Sequence, residues 1–191
     1  MPNLLILTPI NHPKVVNILQ EITNAGIPVI TVNSDIHGTD RLLHVGCDFF
    51  ASGQTAAGML LLIAKEPLTV GIVTGSEQML GHKQRVTGFL STLEDASSPF
   101  QHAITVESYD QEEHAYQQVR EMLEQHPTIN AVYFAASGVK GGIKAIEESK
   151  KDLLIITCDD FPFIRQQVLT GVVQATVCQE PFRQGHEAVH Q

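Results

Sequence analysis

The sequence repeats one pattern, a short apolar run followed by a segment in which apolar residues recur with helical spacing. NLLILT (3–8) precedes HPKVVNILQEITNAG (12–26), and LTVGIVTG (68–75) precedes HKQRVTGFLSTL (82–93). Short apolar runs are typical of strands buried on both faces, and intervening helices connect such strands in parallel. We therefore predict an α/β fold with parallel sheets and helices on both faces.

The same pattern predicts the remaining elements. Further strands are expected at 27–32, 42–48, 103–109, 131–136, 153–159 and 173–179, and further helices at 50–65, 111–126, 140–149, 161–169 and 181–189. The helix at 50–65 is rich in small residues, which predicts that another surface packs closely against it.

Two proline-containing segments divide the predicted elements into two lobes. The candidate crossovers are Lys65-Glu66-Pro67 and Gln179-Glu180-Pro181. We expect residues 1–66 to form the remainder of an N-terminal subdomain, 67–178 a C-terminal subdomain, and 179–191 a return toward the first. Because the first lobe would have few strands, we also expect that the chain is clipped at both ends.

Charge and hydropathy narrow the range of partners. The sequence has 12 Lys and Arg against 21 Asp and Glu, which gives a formal net charge of −9. Such a chain is a poor nucleic-acid ligand by itself, because phosphate contacts require clustered cations. No apolar run reaches the roughly 18 residues of a membrane span, and we see no signal peptide in MPNLLILTPI.

The cysteines and histidines do not predict a metal site. Cys47, Cys158 and Cys178 are odd in number and have neither zinc-site nor CxxC spacing, so we expect three buried thiols in a reducing cytosol. The nine histidines are expected to be scattered, without an HExxH or comparable ligand pair, and to be surface or helix-capping residues.

Polar residues follow nearly every predicted strand. They are Thr8, Asn11, Asn33, Ser34, Asp35, Ser76, Glu77, Tyr109, Asp110, Ser137, Asp159, Asp160 and Gln179. The carboxyl ends of parallel strands share one edge of a sheet, where ligands bind, and these side chains suit the hydroxyls of a small polyhydroxylated molecule. The same positions also favour helix caps and turns, so both interpretations are open.

Interpretations of the sequence as an enzyme are weaker than that of a ligand-binding protein. GSEQMLGHK (75–83) lacks the spacing of a nucleotide P-loop, and GVKGG (138–142) is not GxGxxG, so its glycines are expected to permit close helix packing. Asp159 and Asp160 are adjacent on a strand and point to opposite faces, which excludes a shared proton. We predict no enzyme, no cofactor and no metal.

The order of several segments is similar to that of a known family. AGIPVITVNSD, RLLHVGCDFFASGQTAAGML, GIVTGSEQMLGHKQRVTGF, IITCDDFP and ATVCQEPFRQGHEAV closely resemble the effector domain of LacI-family transcriptional regulators, and also the related periplasmic sugar-binding proteins. The resemblance implies a two-lobed, periplasmic-binding-protein-like type I fold with an incomplete N-terminal lobe. A helix-turn-helix headpiece would lie upstream of this chain.

The resemblance also implies a set of ligand-binding residues. These are Asn33, Asp35, Arg85, Asp110, Ser137, Asp159 and Gln179. Three positions depart from the pattern of the regulators: Ala135 and Ala136 stand where many have Asn-Asp, and Asp110 stands where an aromatic residue often stacks on the sugar.

We interpret the chain as the effector domain of a cytoplasmic LacI-family regulator that binds a sugar-like effector between two lobes. Its DNA contact would be made only through the absent headpiece, it would not touch a membrane, and it would form a homodimer. The alternative is the substrate-binding protein of a sugar ABC transporter.

Overall fold

The computed structural model describes residues 2–95 and 100–190. The helices are α1 (Pro13–Asn24), α2 (Phe49–Ile63), α3 (Leu80–Asp95), α4 (Glu112–Gln125), α5 (Val139–Ser149), α6 (Pro162–Leu169) and α7 (Pro181–His190). The strands are β1 (Leu5–Leu7), β2 (Val29–Val32), β3 (Leu43–Val45), β4 (Leu68–Thr74), β5 (Phe100–Glu107), β6 (Ala131–Phe134), β7 (Leu154–Cys158) and β8 (Ala175–Val177). The predicted α/β class with parallel sheets is confirmed.

The chain divides into two compact units. The first unit contains residues up to 48, 78–81 and those from 179 onward, and the second contains Phe49–Glu77 and His82–Cys178. Helix α2 therefore lies with the second unit, because its buried Ala56, Ala57 and Leu60 belong to the same apolar cluster as residues of β4. The subdomain boundaries expected at 66/67 and 178/179 remain a prediction.

The first unit has a three-stranded parallel sheet in the order β1-β2-β3. Leu19 of α1 packs with Val29 and Ile36 in its small core. Helix α1 begins after His12, whose Nδ1 accepts a hydrogen bond from the Lys14 N–H, and Pro13 occupies the first turn, where its missing N–H costs nothing. Thus the capping role expected for some histidines is confirmed for His12.

The second unit has a five-stranded parallel sheet in the order β5-β4-β6-β7-β8. Because successive strand residues point to opposite faces, β6 supplies Tyr133 to one apolar cluster and Phe134 to the other. Helices α2 and α3 contribute to the Tyr133 cluster, and α4, α5 and α6 to the Phe134 cluster. All residues of β4 are buried, as the continuous apolar run predicted.

Glycines in α2, α3 and α5 permit the close packing that the sequence predicted. A Cβ on Gly53 would lie 2.0 Å from the Arg85 carbonyl oxygen, and one on Gly88 would lie 2.1 Å from that of Phe50. A Cβ on Gly141 of GVKGG would lie 1.8 Å from the Glu112 carbonyl oxygen. The small residues therefore permit α2 to approach α3 and α5 to approach α4.

The cysteine prediction is partly wrong. Cys158 is buried, but Cys47 is half-buried and Cys178 is exposed, because Cys178 lies just beyond the end of β8. No helix among the described residues combines the length and apolar character needed to cross a membrane.

Candidate functional site

The carboxyl edge of the second unit's sheet brings together four of the seven predicted ligand residues. Asp110 follows β5, Ser137 follows β6, and Asp159 follows β7, while Arg85 reaches this edge from α3. Asp110 and Asp159 have φ values of 58° and 79°, so each chain reverses sharply as it leaves its strand. Asp and Asn tolerate this left-handed conformation better than most residues. The backbone alone therefore favours aspartate at these two positions, whether or not its carboxylate binds a ligand.

Arg85 is the most buried charged residue of this edge. Its side chain is 3% exposed, its Nη1 donates to the Ala135 carbonyl oxygen at 2.8 Å, and its guanidinium carbon lies 4.7 Å from the centre of the Phe49 ring. A buried guanidinium requires such partners because removing its charge from water is costly. Arg85 is thus a fixed cation beneath the strand ends.

Asp110 and Ser137 are joined by a hydrogen bond. Asp110 Oδ1 accepts from the Ser137 N–H at 3.1 Å. The hydroxyl of Ser108, which follows β5, connects the end of β4 with the loop after β6, because it lies 3.0 Å from the carbonyl oxygens of both Thr74 and Ser137 and donates to them. The ends of β4, β5 and β6 are therefore held in register by polar contacts.

His82 was missed by sequence reasoning, which treated every histidine as a surface or capping residue. Its Nδ1 accepts a hydrogen bond from the Ser76 N–H at 3.1 Å, and burial lowers the pKa of His82, while the nearby carboxylate of Asp110 opposes that effect. The sequence did contain one indication that His82 lies near the site: it falls in the first turn of the helix that follows β4, close to the carboxyl edge of the sheet.

A cavity of about 160 Å³ adjoins Ser137 and Asp159 in the second unit. Its walls include Phe163, the buried Ile164 and Phe161, a residue that is 57% exposed. Apolar and aromatic walls with a few polar groups are typical of small-molecule sites.

In the first unit, the carboxylate of Asp35 already contacts neighbouring side chains. Its carboxylate accepts hydrogen bonds from Thr31 Oγ1 at 2.9 Å and from Arg41 Nη2 at 2.6 Å, and His44 Nδ1 lies 3.6 Å from it. These contacts hold the turn after β2 together. Its role as a ligand residue stays a prediction.

Asn33 and Gln179 are the other predicted residues of the first unit. Asn33 is exposed with φ 64°, and its N–H donates to the Val45 carbonyl oxygen at 2.9 Å. Gln179 accepts from the Gln184 side chain at 2.7 Å through its own carbonyl oxygen, and it lines a cavity of about 270 Å³ with Cys47. Ligand contact by either residue remains a prediction.

Two further histidines are paired on α7. His186 and His190 belong to the sequence HEAVH, and their rings lie 4.2 Å apart between centroids. This HExxH spacing is found in zinc enzymes, so the prediction that no histidines form such a pair was wrong. Residues 2–95 and 100–190 contain no group of three or more His, Cys, Asp or Glu side chains placed to hold a metal ion.

Comparison with known proteins establishes the family. A sequence model described as the periplasmic binding protein domain matches residues 1–191. The chain belongs to this family. With 286 solved chains matching its structure, the predicted periplasmic-binding-protein-like type I fold is confirmed.

Two of three relatives of this family member are named for binding or importing a sugar. The glucose-galactose binding protein GanP from Geobacillus stearothermophilus is 30% identical with a TM-score of 0.91, and the match covers 98% of this chain and 68% of GanP. The XylFII molecule is 26% identical with a TM-score of 0.91, covering 98% of this chain and 70% of XylFII. The ribose import binding protein RbsB of Salmonella typhimurium is 23% identical over 188 residues, which cover 97% of this chain.

The chain spans 63% of the length of the RbsB relatives that it matches. These comparisons correct the interpretation of the chain as a regulator. The LacI-family function, the DNA-binding headpiece as a partner and the cytoplasmic location were wrong, because the matched family and its named members are periplasmic and import binding proteins. The sequence motifs are shared by both groups of proteins, so the motifs that predicted the fold did not distinguish them.

Proposed function

We propose that the protein binds a monosaccharide as the substrate-binding component of an ABC sugar import system. The observation that carries this proposal is the family match over residues 1–191, together with relatives named for glucose-galactose binding and ribose import. An exported location follows from the same proposal, since such a component meets its sugar outside the cytoplasm.

The polar groups of the second unit support a sugar as the ligand. Asp110 and Asp159 supply carboxylate acceptors for hydroxyl groups, and Arg85 supplies a fixed, buried donor at the same edge. Hydrogen-bond acceptors and a donor at one edge suit a ring with several hydroxyls, because each hydroxyl can both donate and accept a hydrogen bond.

The adjoining cavity supports the same class of ligand. Ala136 and Ser137 are short side chains in its wall, and Phe161 and Phe163 add aromatic surface. Sugars present apolar C–H faces as well as hydroxyl edges, so a wall of this mixed character suits them better than it suits a highly charged molecule.

Calorimetric titration of the purified protein tests the proposal. D-glucose, D-galactose, D-ribose and D-xylose are titrated at pH 7.5, with L-leucine and L-glutamate as matched non-sugar ligands. Saturable one-to-one binding of at least one sugar, with no heat from the amino acids, would support the proposal. Binding of an amino acid without any sugar binding would overturn it.

A further inference from the structure

His82 connects the beginning of α3 to the loop after β4. The Ser76 N–H donates to its Nδ1 at 3.1 Å, so this nitrogen acts as the acceptor and the ring proton resides on Nε2. An imidazolium could not accept that bond, because both of its nitrogens carry protons. The observed contact therefore requires the neutral form.

Gly75 permits His82 and Asp110 to converge. A Cβ built on Gly75 would lie 2.4 Å from His82 Cε1 and 2.8 Å from Asp110 Oδ1. Both side chains thus occupy the space directly above the Gly75 backbone, and any larger residue at this position would displace them.

Asp110 also makes a hydrogen bond to the loop after β6. The same Oδ1 that approaches Gly75 accepts the Ser137 N–H. The Ser76–His82 hydrogen bond and the Asp110–Ser137 hydrogen bond therefore lie side by side over Gly75, at the ends of β4, β5 and β6.

The charged groups around His82 come from three elements. Asp110 approaches from the loop after β5, Asp159 from the loop after β7, and Arg85 from α3 itself. Burial is the largest effect on the pKa of His82 and lowers it, and Arg85 acts in the same direction, whereas the two carboxylates and a backbone hydrogen bond with Ser76 favour the protonated imidazole.

We infer that His82 is a positioning residue that makes sugar affinity depend on pH, an inference that rests on the proposed function. Neutral His82 keeps the Ser76 loop in place and leaves the Asp110 carboxylate on the Ser137 N–H, where it can accept ligand hydroxyls. Protonation abolishes the bond donated by the Ser76 N–H and draws the Asp110 carboxylate toward the imidazolium. Asp110 is then withdrawn from the ligand, and sugar binding releases a proton.

The experiment compares the pH profiles of sugar binding in three proteins. Dissociation constants for the best-binding monosaccharide are measured by calorimetry between pH 5.0 and pH 7.5 in the wild type, His82→Asn and His102→Asn. Asparagine can accept the Ser76 N–H through its amide oxygen but does not titrate. His102 is an exposed residue of β5 and serves as the matched control.

We expect the wild type and His102→Asn to bind about three- to tenfold more weakly at pH 5.0 than at pH 7.5, as a titrating histidine predicts. His82→Asn should have a flat profile, with wild-type unfolding temperature showing that it folds. Equal pH dependence in the wild type and His82→Asn would overturn this inference and leave the proposed function intact. Absence of any sugar binding at pH 7.5 would overturn both.

Discussion

Arg85 Nη1 donates a 2.8 Å hydrogen bond to the carbonyl oxygen of Ala135, the residue that directly follows β6. The contact joins α3 to the central strands of the five-stranded sheet from within the core, because Arg85 is only 3% exposed. A side chain predicted to bind a ligand is therefore also part of the structural framework, and its two roles must be separated experimentally.

Arg85→Met should destabilise the protein, since it removes a charged hydrogen bond and the stacking of the guanidinium on Phe49. We expect the free energy of unfolding to fall by about 2–4 kcal/mol. Urea denaturation measures this change. Arg120→Met is the control, because Arg120 is half-exposed and its contacts, an ion pair with Glu124 and an approach to the Tyr116 ring, lie at the surface. Equal effects of the two substitutions would show that the buried contacts contribute little.

Asp159→Asn should weaken sugar binding by about 2–4 kcal/mol while the protein remains folded, because a ligand hydroxyl loses a charged acceptor. Asparagine tolerates the φ of 79° at this position. Asp160→Asn is a matched control, since the neighbouring carboxylate pairs with Arg165 on the surface. Calorimetry should show wild-type affinity for Asp160→Asn, and wild-type affinity for Asp159→Asn would remove Asp159 from the site.

Gly53→Ala should be strongly destabilising, because the new methyl group would meet the Arg85 carbonyl oxygen at 2.0 Å in the contact between α2 and α3. Helix displacement of this kind costs about 1–3 kcal/mol or more. Gly58→Ala lies in the same helix with nothing within 4 Å, and should stabilise the protein by up to about 1 kcal/mol. Thermal unfolding of both variants measures the difference, and similar shifts would contradict the predicted close packing.

Tyr133→Phe should leave stability unchanged or raise it by about 1 kcal/mol, since the buried Tyr133 hydroxyl has no hydrogen-bond partner among the described residues. Burial raises the pKa of Tyr133 well above its ordinary value. Above about pH 10 the unfolded chain loses this proton while the folded protein keeps it, so the wild type loses stability as pH rises.

The Tyr133→Phe variant should lose less stability than the wild type between pH 9 and pH 11. Tyr116→Phe is the comparison, because the Tyr116 hydroxyl lies at the surface and donates to Glu148, and this hydrogen bond is the main reason that the pKa of Tyr116 is raised. This variant therefore measures the alkaline effect of a surface hydrogen bond. An identical alkaline loss in Tyr133→Phe and the wild type would assign the loss to other groups.

Amide hydrogen exchange should be slower in β4 than in β1. Every residue of β4 is buried and the strand pairs with β5 on one side and β6 on the other. In contrast, β1 pairs with β2 alone among the described strands, and Leu4 and Ile6 are 41% and 39% exposed. Strands with fewer partners and more exposed apolar surface open more readily. Equally slow exchange in both strands would contradict this expectation.

The shared position of several candidate site residues was predictable, because these residues follow strands that periodicity reveals. Asp110, Ser137 and Asp159 come directly after apolar runs, and the ends of parallel strands must meet at one edge of a sheet. Their relation to His82 was not predictable, because it depends on the absence of a Cβ at Gly75 and on the fold of one loop. Likewise, Asp35 has the residue type of a ligand contact, but only the structure shows that Thr31 and Arg41 occupy its carboxylate.

The sequence by itself determined the element order and the parallel sheets, since the alternation of apolar runs with helical spacing permits few other arrangements. Its family resemblance also predicted the type of fold. Only the tertiary structure decided that α2 lies with the five-stranded sheet, that Arg85 is buried against Phe49, and that Tyr133 and Phe134 face separate cores. These features depend on contacts between residues far apart in the chain, and local periodicity reports which face of an element is apolar but not which partner covers it.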